Sequence, residues 1–152
     1  MIQAAGKGFA YGFWMGGASY TVSPYSATQV LVQSHGYGQL ISVANAVSAA
    51  FLEVEGMQFL ALACNTSKSE ILRWNAGTSG GFVPFQTIAG AGNGGYSAVA
   101  AFVDDSSGAS GLVFAKWMTC ESDCTIDLST RSSALVYLFN SANANFKLSQ
   151  TE

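Results

Sequence analysis

Few side chains in this chain have types and spacings that suit chemistry. In Phe51-Leu52-Glu53-Val54-Glu55-Gly56 two carboxylates alternate with apolar residues, which on a strand puts Glu53 and Glu55 on one face. Paired carboxylates serve glycoside hydrolysis, but two residues apart on an edge strand they read more simply as a solvated stripe. Asp104-Asp105-Ser106-Ser107-Gly108 offers oxygens to Ca²⁺ without the full spacing of a ligand loop, and an ordinary hairpin turn explains it. His35, the single histidine, sits in the turn cluster His35-Gly36-Tyr37-Gly38 and reads as a loop residue rather than a general base. Ala91-Gly92-Asn93-Gly94-Gly95 is glycine-rich but lacks the Lys-Ser/Thr pair and helix that phosphate binding uses. It reads as a turn.

The cysteines number three. Cys120 and Cys124 are candidates for a small loop disulfide in an oxidising compartment. Cys64 follows the apolar run Phe59-Leu60-Ala61-Leu62-Ala63 and is expected to be a buried thiol. Two cysteines with His35 fall short of a zinc set. Asn65-Thr66-Ser67 is a glycosylation sequon between two strands. No nucleophile elbow, His-Glu-x-x-His helix or P-loop occurs, so no catalytic residue, metal or cofactor is expected.

Positioning these groups falls to a chain of unusual composition. Charged residues are only 10% of its 152 residues, against roughly 25% in an average soluble domain. Mean hydropathy is +0.28, yet no segment carries the ~18 consecutive apolar residues of a membrane helix. Sheets covered on both faces give strands that read as such interrupted apolar runs. The net charge of −3 and six scattered Lys and Arg argue against nucleic acid, which needs a clustered basic footprint. Met1-Ile2-Gln3-Ala4-Ala5-Gly6-Lys7 lacks the pattern of a secretory signal.

Helix formers are sparse. The run Gln39 to Leu52 reads as strands Gln39–Val43 and Ala49–Glu55 around a turn at Asn45-Ala46-Val47-Ser48. The other expected strands are Phe9–Met15, Gln29–Gln33, Phe59–Cys64, Glu70–Trp74, Val83–Ile88, Ser97–Val103, Leu112–Met118, Leu135–Phe139 and Phe146–Gln150. Turn clusters separate them, and short strands at about ten-residue spacing define an antiparallel all-β chain.

Two stretches repeat. Ser69-Glu70-Ile71-Leu72-Arg73-Trp74-Asn75 leads to Gly81-Phe82-Val83-Pro84-Phe85-Gln86-Thr87, and Ala134-Leu135-Val136-Tyr137-Leu138-Phe139-Asn140 leads to Asn145-Phe146-Lys147-Leu148-Ser149-Gln150-Thr151. Repetition of short β units at this scale points to a propeller, solenoid or array. Trp74 and Phe139 are expected as apolar plugs between stacked sheets. Phe82 and Gln86 are placed on one strand face with Phe85 on the other. Gln86 and Gln150 are expected to bond neighbouring backbone. The units read as a degraded repeat at about 28–65, a repeat at about 69–118 with an inserted loop at 116–133, and an incomplete repeat at 134–152.

The order Ser-x-Ile-Leu-Arg-Trp-Asn, a Gly-rich turn, Gly-Phe-Val-Pro-Phe-Gln-Thr-Ile, and the strand Phe-Leu-Ala-x-Ala resembles the epilepsy-associated (EPTP) repeat. The resemblance covers about Gln29 to Thr151 and is strongest over Phe59 to Ile88. It implies four-stranded blades of a β-propeller, two to three of them here, in a secreted or cell-surface protein. The implied function is non-catalytic binding of a protein partner through loops at the blade rim. A carbohydrate-binding or glycan-hydrolysing propeller is the alternative, with Tyr11, Phe13, Trp14 and Tyr20 as a sugar-stacking set. Leu72 stands where the family often has Tyr, which the second copy supplies as Tyr137. Since a full ring needs about twice this length, the chain is expected to be a piece of a longer product, or a subunit that closes a ring with copies of itself.

Overall fold

The computed structural model describes residues 9–65, 68–77, 80–88, 95–116 and 134–151. Among these described residues twelve strands form three antiparallel four-stranded sheets, each a meander in chain order. Sheet 1 holds β1 (Tyr11–Met15), β2 (Ala18–Ser26), β3 (Gln29–Ser34) and β4 (Tyr37–Ser42). Sheet 2 holds β5 (Ala46–Val54), β6 (Met57–Cys64), β7 (Ser69–Asn75) and β8 (Gly81–Ile88). Sheet 3 holds β9 (Tyr96–Asp104), β10 (Ala109–Lys116), β11 (Ala134–Asn140) and β12 (Asn145–Thr151). A unit running from Ser69 to Met118 therefore straddles two sheets, taking the last two strands of sheet 2 and the first two of sheet 3. The segment from 134 onward supplies the second half of sheet 3.

The sheets stack in series. Phe13, Met15, Val22, Val32 and Ile41 of sheet 1 pack with Leu60, Leu62, Leu72 and Phe82 of sheet 2. The opposite face of sheet 2, with Leu52, Phe59, Ala61 and Ile71, packs with Tyr96, Val99, Leu112, Phe114 and Phe146 of sheet 3. Sheet 2 is thus covered on both faces. That explains why β6 is apolar at every position from Phe59 to Cys64, all of them fully buried. Sheet 1 instead alternates, with Phe13 and Met15 buried and Trp14 69% exposed between them. The both-faces expectation holds for the middle sheet and not for sheet 1.

Each junction between sheets is built from the same parts. Asn45, just before β5, donates its N–H to Ala27 O at the β2–β3 connection, at 2.8 Å. Gly95, just before β9, donates to Asn65 O after β6, at 3.0 Å. The chain therefore pins each new first strand to the connection between the second and third strands of the preceding sheet. First strands also approach one another, β1 to β5 and β5 to β9. There the Tyr11 hydroxyl accepts Phe51 N–H at 2.9 Å and the Ser48 hydroxyl accepts Val99 N–H at 3.2 Å.

Three readings of the sequence are corrected. β2 is a nine-residue strand that was not expected, although Ala18, Tyr20 and Val22 alternate with Ser19, Thr21 and Ser23 as a half-buried strand should. β5 already begins at Ala46, and only Asn45 takes the left-handed turn conformation (φ 58°). Glu55 is not on the strand with Glu53. It shares the β5–β6 turn with Gly56, both at positive φ (53° and 78°), the geometry of a tight two-residue hairpin.

Cys64 is fully buried, and its N–H donates to the buried Ser69 hydroxyl at 2.9 Å. Burial, helped by the nearby Glu70, pushes its thiol up to about 12, against the opposing hydrogen bond from Ser69. A thiol held neutral does not react as a nucleophile. In the native chain Cys64 should therefore resist iodoacetamide at pH 8 and be labelled only in urea, as peptide mass mapping would show. Labelling of Cys64 at the rate of an unfolded control would contradict its place in the core.

Candidate interaction surface

In sheets 2 and 3 the repeated residues do matching work at matching register. Asn75 Oδ1 accepts Gly77 N–H and Asn140 Oδ1 accepts Ala142 N–H, both at 3.0 Å. These are the side-chain-capped turns that Asn favours, and they begin the β7–β8 and β11–β12 hairpins. Trp74 is half-buried against the junction of sheets 1 and 2, among Tyr20, Tyr37 and Phe82. Phe139 is half-buried against the junction of sheets 2 and 3, beside Phe59 and Phe146. Leu72 and Tyr137 likewise each face the preceding sheet.

The glutamines join the sheets. Gln86 Nε2 donates to Phe146 O at 2.7 Å, and Phe146 N–H donates to Gln86 Oε1 at 3.0 Å. Gln39 treats Phe82 identically, at 2.7 and 2.9 Å, and its Oε1 also accepts the Tyr37 hydroxyl at 2.9 Å. Burial, with Tyr20 adding to it, raises Tyr37 above the usual tyrosine value, so this hydroxyl stays a donor. In both cases the amide reaches from the fourth strand of one sheet to the fourth strand of the next. There it satisfies the outward N–H and C=O of an edge residue, as a neighbouring strand would. Gly81 leaves room, since a Cβ there would stand 3.3 Å from both Gln39 Oε1 and the Tyr37 hydroxyl.

Gln39 was missed from sequence. The signal was Gln-x-Ile, shared by Gln39-Leu40-Ile41 and Gln86-Thr87-Ile88. Gln150 lies opposite Val136, as Gln86 lies opposite Ile71 and Gln39 opposite Val32. A further correction concerns β8. Phe82 faces sheet 1, whereas Phe85 and Gln86 both face sheet 3. The pairing runs Leu72↔Pro84 and then Ile71↔Gln86, so Phe85 is the extra residue of a β-bulge. A bulge puts consecutive residues on one side and breaks the period-two reading. The same shift recurs in sheet 3, between Tyr137↔Leu148 and Val136↔Gln150.

The candidate chemical groups are dispersed. Glu53 accepts from Gln58 Nε2 at 3.2 Å, while Glu55 in its turn accepts the Ser141 hydroxyl from the β11–β12 turn of sheet 3. Asp104 accepts Ser106 N–H at 3.1 Å and the hydroxyls of Ser106 and Ser107 at 2.8 Å each. It organises the β9–β10 turn with its own serines, and these bonds, led by the Ser106 hydroxyl, hold its carboxyl below the usual aspartate value. The ionised form is the one the turn favours. Its contribution is present above the usual aspartate pKa and disappears as pH falls through the folded value. The urea midpoint of Asp104→Ala should therefore lie below wild type at pH 7 and converge with it toward pH 2. A gap of constant size across that range would contradict the assignment.

His35 and Gly36 form the turn between β3 and β4. No group of three or more His, Cys, Asp or Glu that could hold a metal occurs among the described residues. Asn65 is half-buried and its backbone is bonded on both sides, to Asn45 and Gly95. Thr66 and Ser67, which complete the sequon, lie outside the described residues, as do Cys120, Cys124 and the loop that contains them. Tyr11, Phe13 and Tyr20 belong to the packing between sheets 1 and 2, so of the aromatic N-terminal set only Trp14 is free for a ligand. Among the described residues no helix is long and apolar enough to cross a membrane.

No protein-family model matches the chain, and no curated protein sequence does.

Proposed function

We propose that the three sheets are successive blades of an EPTP-like β-propeller, and that the chain acts as a non-catalytic, extracellular or cell-surface module binding a protein partner at the blade rim. The observation that carries this reading is the glutamine contact repeated at both junctions. Three sheets in series, joined in the same way at both junctions, are what a ring of equivalent blades requires. The β5–β6 and β11–β12 turns meet through Glu55 and Ser141, a contact between sheets 2 and 3 at the loop ends where the partner is proposed to bind. Three of the four carboxylates considered for hydrolysis have partners, Asp104 in its turn, Glu55 at Ser141 and Glu53 at Gln58, and Asp105 is the fourth. Trp14 and Tyr25, 69% and 61% exposed, keep a sugar-stacking reading as the second possibility.

The test is to array the folded chain against cell-surface ectodomains and, in parallel, a glycan panel. Saturable binding to an ectodomain, unchanged by Glu53→Gln or Asp105→Asn, is the expected result. Binding or turnover confined to glycans, and lost on Trp14→Ala or those acid variants, would replace the protein-binding reading with the carbohydrate one.

A further inference from the structure

The bulges in β8 and β12 bend the fourth strands of sheets 2 and 3 at the same place. Beside each bulge a cleft opens, of about 500 Å³ in sheet 2 and about 430 Å³ in sheet 3. The residues of the sheet 3 cleft all have counterparts in the sheet 2 cleft, which Gly56, Met57 and Gln58 line in addition. Arg73, Trp74 and Asn75 of one wall stand where Leu138, Phe139 and Asn140 stand in the other. Val83, Pro84 and Phe85 of the facing wall match Lys147, Leu148 and Ser149.

One cross-strand pair in each cleft joins a cation to an aliphatic side chain. In sheet 2 it is Arg73↔Val83, and in sheet 3 it is Leu138↔Lys147. The cation has changed strand and the pair has kept its character. Three Lys and Arg side chains are described, Lys68, Arg73 and Lys147, and two of them line these clefts. Lys68 instead shares its depression with Glu70. One carboxylate borders the clefts, that of Glu55, which accepts the hydroxyl of Ser141 in the sheet 3 lining and pairs with neither cation. Arg73 and Lys147 are exposed and make no hydrogen bond or ion pair with another described residue. On the same strand face as each cation stands its cross-strand partner, Val83, 41% exposed, beside Arg73 and the half-buried Leu138 beside Lys147, so each cleft offers apolar surface next to a cation.

We infer that the two clefts are equivalent docking sites for extended segments of a protein partner in which a carboxylate side chain neighbours an apolar one. The inference rests on the protein-binding reading above and names the partner's chemistry. The carboxylate meets Arg73 or Lys147, and the apolar side chain lies on Val83 or on Leu138, the cross-strand partner of each cation. Repetition gives two contacts at a fixed spacing, so a partner with two such segments would gain from their linkage.

The probe is the acetylated, amidated tetrapeptide Leu-Glu-Leu-Glu, titrated into the ¹⁵N-labelled full chain and followed by NMR, with Leu-Lys-Leu-Lys as its twin. The acidic peptide should give saturable shifts around Asn75 and Asn140 that weaken as salt is added. Arg73→Gln should weaken binding at the sheet 2 cleft alone and Lys147→Gln at the sheet 3 cleft alone, each by about fivefold, the upper range for an exposed ion pair. Both residues are exposed and unpaired, so unchanged spectra elsewhere verify the fold of the variants. Equal binding of the lysine twin, unchanged affinity in the double variant, or no saturable shift at either cleft would overturn the inference. The ectodomain array is read separately, so loss of the cleft assignment would leave the protein-binding reading standing.

Discussion

Gly95→Ala is expected to lower the stability of the chain by about 2–3 kcal/mol, the upper range for forcing atoms into a packed site. A Cβ at this position would stand 2.1 Å from Cys64 O and 2.7 Å from the carbonyl carbon of Asn65. Both are main-chain atoms, so no rotamer change relieves the overlap. The strand end that would have to move carries the buried Cys64 and receives the Gly95 N–H on Asn65 O. The substitution therefore pries β9 away from sheet 2 at the point where the chain passes into sheet 3. Gly38→Ala is the control. Its Cβ would meet nothing within 4 Å, and removing a glycine without strain tends to stabilise by about 0.4–1 kcal/mol through the unfolded chain. Urea unfolding of the two variants beside wild type checks both. A Gly95→Ala midpoint equal to wild type would mean the junction yields easily.

Gln86→Leu should cost about 2 kcal/mol, and Gln39→Leu a similar amount. Each leaves one backbone N–H and one C=O without partners at a half-buried position, and Gln39→Leu also frees the Tyr37 hydroxyl; losses of about 1–3 kcal/mol per group shrink because water reaches part of the site. Leucine keeps the apolar bulk, so a loss on this scale reports the hydrogen bonds rather than a cavity. Gln86→Glu adds a sharper test. A carboxylate can accept Phe146 N–H but opposes Phe146 O, whereas a protonated carboxyl both donates and accepts as the amide does. The defect of Gln86→Glu should accordingly shrink as pH falls through the glutamate range, while that of Gln86→Leu should not. Parallel pH dependence in the two variants would count against the two-bond contact.

The all-β class and most strands were legible because turn residues and short apolar runs alternate along the chain. The repeat was legible because its residues have the same duties twice over: Asn75 and Asn140 cap hairpins, and Trp74 and Phe139 fill the junction behind them. What stayed hidden has physical reasons. β2 is the exception, because Ala18, Tyr20 and Val22 alternate with Ser19, Thr21 and Ser23 as a half-buried strand should, and that signal was passed over for want of a continuous apolar run. The facing of Phe82 and Gln86 was misread because the unpaired Phe85 resets the period, which no periodicity argument anticipates. Gln39 escaped because the two-residue His35-Gly36 turn shortens its hairpin, so it has no aromatic four positions before it as Gln86 and Gln150 have. The clefts escaped because the cation sits on β7 in one sheet and on β12 in the other. Only cross-strand register makes Arg73↔Val83 and Leu138↔Lys147 the same pair.

Amide exchange at Phe82 and Phe146, measured by NMR on the full chain, tests most directly that glutamine side chains bind sheet to sheet in series. Both amides lie on edge strands and face away from their own sheets, positions that exchange rapidly when only water bonds them. Slow exchange, comparable to ladder-bonded amides of β6, is expected for both. Gln86→Leu should release Phe146 and leave Phe82 protected, and Gln39→Leu should do the reverse. Rapid exchange of both amides in the unaltered chain, or a protected Phe146 in Gln86→Leu, would contradict the account.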